Sequence, residues 1–401
     1  MEVGFPSPRR RHGSTDMGID RGVALPADRV PPTHRAWVEV NLAAIRNNVQ
    51  AIRRLLAPST QLMSVVKADG YGHGAVAVAR TALSAGASWL AVATVDEGIH
   101  VRRAGIEAPI LLFGPAISKE EVEAVVEHRL QPTVCSLDQA RRFSEAGLGT
   151  IRIHLKVDTG MSRLGVAWQE GQDLVSALKA LPNVTVASVY SHLATADAPD
   201  SGTAAEQCRR LSHLLDVLEA QGARPSLVHL ANSAATLAIP QTHFDLVRIG
   251  LAQYGIYPAS HLRPIVPLQP ALSVKARIVF IKTVPAGAGV SYGHTFQAGR
   301  PTRLATVAIG YGDGVSRALS NRIELLLRGR RVRQVGTITM DQCLIDVTEV
   351  PEASEGDTTT LLGQDGTERI QAGDWAERLG TIPYEILTAL SARLPRIFRQ
   401  R

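Results

Sequence analysis

The chain is 401 residues long, 45% of its residues are hydrophobic, and 43 Lys and Arg against 37 Asp and Glu give a formal net charge of +6. This length predicts two domains, and the apolar fraction suffices for a large core. Arginines cluster near both ends of the chain, and aromatic residues make up only 4%. A basic surface interleaved with aromatic side chains for nucleic acid is therefore not expected.

The first 34 residues are rich in Arg, Pro, Gly and Asp, which predicts a disordered tail over residues 1–34. No segment approaches the ~20 apolar residues of a membrane-spanning helix, and no signal peptide is recognisable. The cysteines, Cys135, Cys208 and Cys343, are widely spaced and lack the spacing of metal ligands. We expect a cytoplasmic protein that binds neither a membrane nor a metal ion.

Short apolar runs alternate with helical patterns over residues 35–258. Asn41 is expected to cap the first helix, and Ser118 with Glu121 has the sequence of a capping box. The alternation favours a (β/α)8 barrel over an open doubly wound sheet, with functional residues at the carboxyl ends of the strands. The predicted strands are 62–66, 89–94, 110–113, 133–135, 151–157, 184–190, 227–230 and 246–249. A further strand near 36–40 is compatible with this domain or the next.

Residues 259–401 have a different pattern, in which strand-like runs are separated by Gly or Pro and helical patterns are few. This pattern predicts a second, mostly β domain. Its predicted strands are 272–284, 304–309, 323–327, 332–339 and 344–347.

Lys67 follows an apolar run, 61–66, and opens a turn that contains Gly70, Gly72 and Gly74. Burial disfavours the charged form of a lysine, so Lys67 is a candidate Schiff-base amine. The glycines allow the backbone to approach a ligand closely. The alternative is a surface lysine after a strand, and this segment alone does not decide between the two.

Several separated motifs carry a family resemblance. They are VKADGYGHG at 66–74, KVDTGMSRLG at 156–165, SHLATAD at 191–197, ANSAA at 231–235, VRIGLAQYG at 247–255, VSYGHTF at 290–296, IGYGDG at 309–314 and MDQ at 340–342. In these motifs the chain resembles the alanine racemases, pyridoxal-phosphate enzymes with a barrel and a C-terminal β domain. The resemblance implies a small amino-acid substrate, the cofactor pyridoxal 5'-phosphate and a homodimer that supplies D-alanine for cell-wall synthesis.

Racemisation removes the α-proton of the substrate and returns it on the other face, which requires a proton carrier on each side. The resemblance implies that Lys67 holds the cofactor and serves one face. Tyr292 of the partner subunit would serve the opposite face, so each active site would be shared across the dimer. Taken in isolation, Tyr292 would be interpreted as a core or loop tyrosine, and only the other motifs favour the catalytic role.

The resemblance also implies the residues that bind the cofactor. Tyr71 and Ser233 would contact its phosphate, and the backbone N–H groups of Gly250 and Leu251 could face the same anion. His192 and Asn232 would line the cofactor ring. Arg248 would face the pyridine nitrogen; because an arginine cannot accept a proton, the nitrogen would stay unprotonated and transamination would be disfavoured. The alternative for Arg248 is an arginine in a salt bridge at the end of a strand.

On the substrate side, Arg163 would bind the carboxylate or stabilise ionised Tyr292. Lys156 matches a lysine that the family often carries as a carbamate, which would orient Arg163; its alternative is a solvated lysine. Tyr311 and Met340 match residues of the partner-subunit side, where they would narrow the entrance and contact the substrate.

Three positions depart from the family pattern. Ala392 replaces a tyrosine that contacts phosphate in some members, Thr339 stands where others have Cys or Ser, and Gly312 stands where Ala is usual.

Two other functions are alternatives to a racemase: an amino-acid decarboxylase of the same architecture and a non-catalytic cofactor-binding protein. The first would use a lysine in the same way, and the second would lack the C-terminal domain.

Overall fold

The computed structural model of the protein describes residues 33–200 and 202–400, so nearly all of the predicted tail lies outside the described residues. The strands, in chain order, are β1 (Ala36–Asn41), β2 (Gln61–Val65), β3 (Trp89–Val92), β4 (Ile110–Leu112), β5 (Gln131–Val134), β6 (Ile151–Asp158), β7 (Val166–Ala167), β8 (Val184–Tyr190), β9 (Leu227–His229), β10 (Leu246–Ile249), β11 (Leu272–Val284), β12 (Gly289–Val290), β13 (Phe296–Gln297), β14 (Thr302–Val307), β15 (Glu324–Leu327), β16 (Arg330–Val335), β17 (Cys343–Asp346), β18 (Thr358–Asp365), β19 (Glu368–Ile370) and β20 (Arg396–Arg399). The helices are α1 (Leu42–Arg53), α2 (Lys67–Tyr71), α3 (Ala75–Ser84), α4 (Val95–Arg103), α5 (Lys119–Glu127), α6 (Leu137–Ala146), α7 (Gly171–Lys179), α8 (Gly202–Ala220), α9 (Ser233–Ala238), α10 (Ala372–Leu379) and α11 (Pro383–Thr388).

Within the described residues, eight parallel strands form a nearly closed barrel in the order β10-β2-β3-β4-β5-β6-β8-β9. Two backbone hydrogen bonds join β9 and β10, the strands at the two ends of this order, near their ends. The N–H of Asp245 donates to Val228 O at 3.1 Å, and that of Arg248 donates to Ala231 O at 3.0 Å. Strands covered on both faces are apolar throughout, as β3 is, with all its residues buried. The predicted barrel is confirmed, and each of its strands was predicted to within two residues at either end.

Two helix starts in the barrel follow the predicted capping chemistry. The Asn41 side chain accepts the N–H of Ala44 at 3.0 Å, which satisfies a free donor at the start of α1. Ser118 and Glu121 form the reciprocal capping box at α5, as their spacing predicted. These caps fix where each helix leaves the strand before it.

The C-terminal half of the described chain forms a nine-stranded sheet, ordered β19-β18-β15-β16-β17-β14-β11-β1-β20. β1 joins this sheet, since it runs antiparallel to β11, with Val38 opposite Val274, and parallel to β20. β18 also pairs with β11, which bends the sheet round on itself. The mostly β architecture is confirmed, although β16 ends at Val335 rather than at the predicted 339. The predicted division of the chain near residue 258 stays a prediction.

The two halves meet beside Lys67. The Arg396 Nε of β20 donates to Gly72 O at 3.1 Å, just after α2. A Cβ on Gly72 would lie 2.5 Å from Leu387 O of α11, and Gly72 has a φ of +79°, so only glycine suits this position.

In the ranges 33–200 and 202–400 no helix has the length and apolar character needed to span a membrane.

Candidate active site

A cavity of about 510 Å³ opens at the carboxyl ends of the barrel strands. It brings together ten of the residues singled out from the sequence: Lys67, Tyr71, Lys156, Arg163, His192, Asn232, Ser233, Arg248, Gly250 and Leu251. The other three, Tyr292, Tyr311 and Met340, lie on the C-terminal half and do not line the cavity of their own chain. They are exposed to 73%, 42% and 53%, respectively.

Lys67 begins α2, a turn whose backbone is left-handed. Ala68, Asp69 and Tyr71 have φ values of 51°, 50° and 53°. Such values cost a non-glycine residue about 1–3 kcal/mol each, so surrounding contacts must hold the turn. Glu97 Oε1 accepts the N–H of Ala68 at 2.7 Å, and Asp69 Oδ1 accepts that of Ala75 at 2.9 Å. The glycine-rich turn is therefore a rigid mount for Lys67.

The environment of Lys67 favours a neutral amine. Burial lowers the pKa of Lys67, the positive charge of Arg163 lowers it further, and only Glu97 opposes them. A half-buried lysine that lines a cavity and has a lowered pKa is a suitable nucleophile and proton carrier. This geometry favours the active-amine interpretation over the surface-lysine one.

Ser233, Gly250 and Tyr71 form one wall of the cavity. The Ser233 hydroxyl accepts the N–H of Gly250 at 2.9 Å and that of Ala252 at 3.4 Å, which leaves its own proton to donate. The N–H of Gly250 is therefore engaged within the protein. A Cβ on Gly250 would lie 2.6 Å from the Tyr71 hydroxyl, so the absence of a side chain makes room for the phenol. Burial raises the pKa of Tyr71 and keeps it a hydrogen-bond donor.

Arg248 is a buried cation on the floor of the cavity, with 3% of its surface exposed. It donates to His229 Nδ1 at 3.0 Å, Ser191 O at 2.9 Å and Leu230 O at 3.0 Å. Within the part of the chain that the structure describes, it forms no ion pair with a carboxylate. Burial lowers its pKa to about 10, which leaves it charged at neutral pH. The salt-bridge alternative for Arg248 therefore finds no support.

His192 and Asn232 lie beside Arg248 in different roles. Burial and the nearby Arg248 lower the pKa of His192 to about 3, so its ring is neutral. Its Nδ1 lies 3.3 Å from Arg248 Nη2 and accepts from it. The Asn232 side chain caps α9 by accepting the N–H of Ala235 at 3.1 Å.

Lys156 is buried and its Nζ donates to Val157 O at 2.9 Å. Burial and the charge of Arg248 lower its pKa to about 8, so a minority of the amine is neutral near physiological pH, a larger fraction than for an ordinary lysine. Arg163 lies at the exposed mouth of the cavity and forms neither a hydrogen bond nor an ion pair with the rest of the described chain. Its guanidinium is available to an external anion.

The three residues outside the cavity lie on loops that are fixed by hydrogen bonds. Tyr292 lies in a tight turn between β12 and β13, where its carbonyl accepts the Thr337 hydroxyl at 2.8 Å. The Tyr311 N–H donates to Thr339 O at 2.9 Å, next to Met340. The Thr339 hydroxyl donates to Gln342 O at 2.9 Å and so supports that loop. These aromatic and thioether side chains are exposed although their backbones are well held.

Three further residues of the site were not found from the sequence. Tyr190 lines the cavity, where its ring stacks on His229 at 4.5 Å and its hydroxyl contacts Thr133 at 2.7 Å. Tyr384 of α11 also lines it. Glu97 supports the Lys67 turn, and the Thr94–Glu97 spacing of a capping box was the signal that could have indicated it.

The known proteins that this chain resembles share both of its halves. Residues 40–258 match the family described as alanine racemase, N-terminal domain, and residues 271–398 match alanine racemase, C-terminal domain. The chain belongs to the alanine racemase family. The alanine racemase of a Nostoc species is 53% identical over 371 residues, which cover 91% of this chain and 96% of that one. The alanine racemase of a Synechocystis species is 50% identical, covering 90% and 98%.

Solved structures of the family have the same fold. Alanine racemase from Bacillus anthracis with bound L-Ala-P superposes with a TM-score of 0.87 at 40% identity, covering 92% of this chain and 96% of that one. Alanine racemase from the D-cycloserine producer Streptomyces lavendulae gives a TM-score of 0.85 at 40% identity, covering 92% and 98%.

Proposed function

We propose that this protein is an alanine racemase that interconverts L-alanine and D-alanine with pyridoxal 5'-phosphate held at Lys67. The observation that carries the proposal is the buried Arg248, a cation without a carboxylate partner in the described chain, on the floor of the same cavity as Lys67. The family and the names of its relatives support the substrate.

The charges that line the cavity suit this cofactor. Lys67, Lys156, Arg163 and Arg248 line it, against a single carboxylate, that of Asp197. An excess of cations in a half-enclosed cavity favours an anion such as a phosphate ester. The Ser233 and Tyr71 hydroxyls would donate to the phosphate, and the neighbouring backbone at Gly250 and Leu251 would border it.

When bound, pyridoxal phosphate supplies an electron sink that acidifies the α-proton of the attached amino acid. Arg248 would sit against the ring nitrogen as a donor, which disfavours its protonation. His192 and Asn232 would border the ring. Because His192 is neutral, it adds no charge that would compete with Arg248.

Two proton carriers would act on opposite faces of the substrate. Lys67, with its lowered pKa, would take or return the α-proton on one face. Tyr292 of the partner subunit would do so on the other. The 73% exposure of Tyr292, on a turn that hydrogen bonds fix, supports a role at a subunit interface, as do the exposed Tyr311 and Met340. We therefore propose a homodimer with shared active sites.

Arg163, unpaired and at the mouth of the cavity, would bind the substrate carboxylate or stabilise ionised Tyr292 of the partner subunit. Lys156 would orient it as a carbamate, in which a bond between Nζ and CO₂ forms with release of a proton. The pKa of about 8 supports this, because only the neutral amine attacks CO₂. An intact mass 44 Da above that calculated from the sequence, about one CO₂ per chain, would identify this group. Acidification should remove the added mass.

A single incubation tests the reaction. The protein, loaded with pyridoxal phosphate, is given L-alanine while D-alanine and CO₂ are followed. D-alanine without CO₂ is expected; CO₂ would indicate the decarboxylase, and neither product would indicate a cofactor-binding protein. A cytoplasmic enzyme that supplies D-alanine for cell-wall synthesis is the biological role that we propose, and a D-alanine requirement after gene deletion tests it.

A further inference from the structure

Asp313 is a buried carboxylate in the loop that carries Tyr311. Its side chain is fully buried and pairs with Arg35, whose Nη2 donates to Oδ1 at 2.7 Å and whose Nη1 donates to Oδ2 at 3.0 Å. Oδ2 also accepts the N–H of Gly310 at 3.0 Å. A two-pronged pair of arginine and carboxylate fixes geometry as well as adding energy. Asp313 therefore ties the turn of Tyr311 to the start of β1.

Arg393 extends this pair to the loop that carries Met340. Its Nε lies 3.5 Å from Asp313 Oδ1, and its Nη2 donates to Asp341 Oδ1 at 2.5 Å. Asp341 is the residue that follows Met340. A single guanidinium therefore connects the two loops whose exposed side chains are proposed to enter the partner subunit's cavity. We call Arg35, Asp313, Arg393 and Asp341 the charge chain.

Gly312 provides the space in which Arg393 reaches both carboxylates. A Cβ at position 312 would collide with Nη1 of Arg393, and would lie 3.1 Å from Met340 O and 3.2 Å from Met340 Cγ. Gly312 does not have a left-handed backbone, so glycine is needed here for space and not for its φ. Glycine at this position, where the family usually has alanine, therefore allows a contact that alanine would obstruct.

The position of the charge chain indicates what it holds. None of its residues lines the cavity of its own chain. The side chains of Arg393 and Asp341 are exposed to 44% and 57%, and such pairs contribute little to stability. Tyr311 and Met340, on the loops that this pair joins, also have exposed side chains although their backbones are fixed. Fixing exposed side chains before contact lowers the entropy cost of binding, which indicates an interaction surface.

We propose that Arg393, held by Asp313 and given room by Gly312, is a positioning residue for the active site of the partner subunit. It keeps Tyr311 and Met340 where these side chains border the substrate in the partner subunit's cavity. It thereby sets the affinity for alanine and the exclusion of larger side chains. The inference rests on the proposed function, because it needs the racemase reaction and the shared dimer.

Gly312→Ala and Arg393→Gln test the proposal by kinetics. The first displaces the tip of a flexible side chain and should fold, and the second removes the charge. Both should raise KM for L-alanine about three- to tenfold and leave kcat within about twofold, because substrate binding is weakened and proton transfer is not. The ratio of kcat/KM for L-serine to that for L-alanine should rise about three- to tenfold, because a displaced Tyr311 accommodates a larger side chain. An unchanged KM with an unchanged ratio overturns the proposal.

Arg328→Gln is the matched control. The Arg328 side chain is 44% exposed, as that of Arg393 is, and it donates to Asp357 through Nε at 2.9 Å and Nη2 at 3.0 Å. The substitution removes a salt bridge from the same half of the chain without touching the loops of Tyr311 and Met340. Its KM and kcat should therefore stay within about twofold of wild type. An equal rise in KM in Arg328→Gln would reduce the effect of Arg393→Gln to a loss of stability and overturn the proposal.

Hybrid dimers test whether the effect lies in the partner subunit's cavity. In a dimer of one Lys67→Ala chain and one Tyr292→Phe chain, the cavity of the Tyr292→Phe chain is intact, and the loops that serve it belong to the Lys67→Ala chain. Arg393→Gln added to the Lys67→Ala chain should therefore raise the KM of the hybrid, and the same change on the Tyr292→Phe chain should not. Equal effects from both chains overturn the proposal, since a structural defect acts wherever it is placed.

The failure of this proposal is distinct from that of the proposed function. Wild type that racemises alanine, beside active hybrids whose KM does not respond to Arg393→Gln on either chain, removes only the role of Arg393. Wild type that forms no D-alanine removes the proposed function, and an inactive hybrid of the two parent variants removes the shared active site. Either result also overturns the role of Arg393.

Discussion

The Glu97 carboxylate accepts a 2.7 Å hydrogen bond from the N–H of Ala68, the residue that follows Lys67. Its other oxygen accepts the N–H of Ala93 at 2.7 Å, at the end of the neighbouring strand. One side chain thus ties the left-handed turn of Lys67 to the carboxyl end of β3. A charge-assisted hydrogen bond to a strained backbone is a means of holding a reactive lysine in one position.

Glu97→Ala should lower both stability and turnover. We expect the free energy of unfolding to fall by about 1–3 kcal/mol, because the N–H groups of Ala68, Ala93 and Thr94 lose a charged acceptor. We expect kcat for alanine to fall roughly ten- to hundred-fold, because Lys67 loses its fixed position. Denaturant unfolding and racemisation kinetics measure the two effects.

Glu121→Ala is the matched control, since Glu121 forms the same capping box at α5, where it accepts the N–H of Ile117 at 2.8 Å and of Ser118 at 3.1 Å. It should cost similar stability and leave kcat nearly unchanged. Equal kinetic effects of the two variants would contradict a specific role of Glu97 in the Lys67 turn.

Gly250→Ala tests the fit of the Tyr71 phenol. The added Cβ would lie 2.6 Å from the Tyr71 hydroxyl and must displace it. We expect about tenfold or greater loss of affinity for pyridoxal phosphate, as measured by absorbance titration. Gly373→Ala on α10, whose Cβ would meet nothing within 4 Å, is the control and should bind normally. Unchanged affinity in Gly250→Ala would show that Tyr71 is not needed at its present position.

Arg248→Glu places an acceptor where the ring nitrogen would bind. With a carboxylate there the nitrogen can be protonated, so pyruvate formed per D-alanine should rise, by about tenfold, while racemisation falls. Arg248→Lys keeps a cation and should give little pyruvate. An unchanged product ratio in Arg248→Glu would remove the proposed role of Arg248, provided that circular dichroism shows a folded protein.

The fold was largely predictable because each barrel strand is a short apolar run between turn or cap residues. The site was less so. Lys67 and Arg248 stand at strand ends, where sequence patterns are informative, but Tyr384 reaches Tyr71 through packing between distant parts of the chain. Strand β18, which contains the buried Thr359 and Thr360, was not predicted, since polar residues become buried there only when the sheet closes on β11.

Acid should unfold the protein through its buried histidines. Burial lowers the pKa of His73 to about 4 and that of His154 to about 3, and both side chains are fully buried. The unfolded chain binds these protons first, below a pKa of about 6.5. The stability that each buried, neutral histidine contributes is therefore present in full above about pH 6.5. It is lost as the pH falls towards 4, by about 1.4 kcal/mol per pH unit for each histidine.

Denaturant unfolding between pH 4 and 7 measures this slope. His154→Gln should reduce it by about 1.4 kcal/mol per pH unit, since one titrating group is removed. The exposed His261, changed to Gln, serves as the control for the substitution itself. A slope that His154→Gln leaves intact would mean that His154 is protonated in the folded protein.

Mixing two inactive variants tests the shared active site. Lys67→Ala removes the amine of one cavity, and Tyr292→Phe removes an exposed phenol, so both chains should fold. In a hybrid dimer, Lys67 of the Tyr292→Phe chain meets Tyr292 of the partner subunit, and one site in two is intact. Equal co-expression should restore about a quarter of wild-type activity, since about half of the dimers are hybrids and one site in each hybrid is intact.

Lys67→Ala mixed with Arg163→Ala is the control. Both residues line the cavity of one chain, so every site in that hybrid carries a defect. Equal recovery in the two mixtures, or none in the first, would contradict a tyrosine contributed across the dimer.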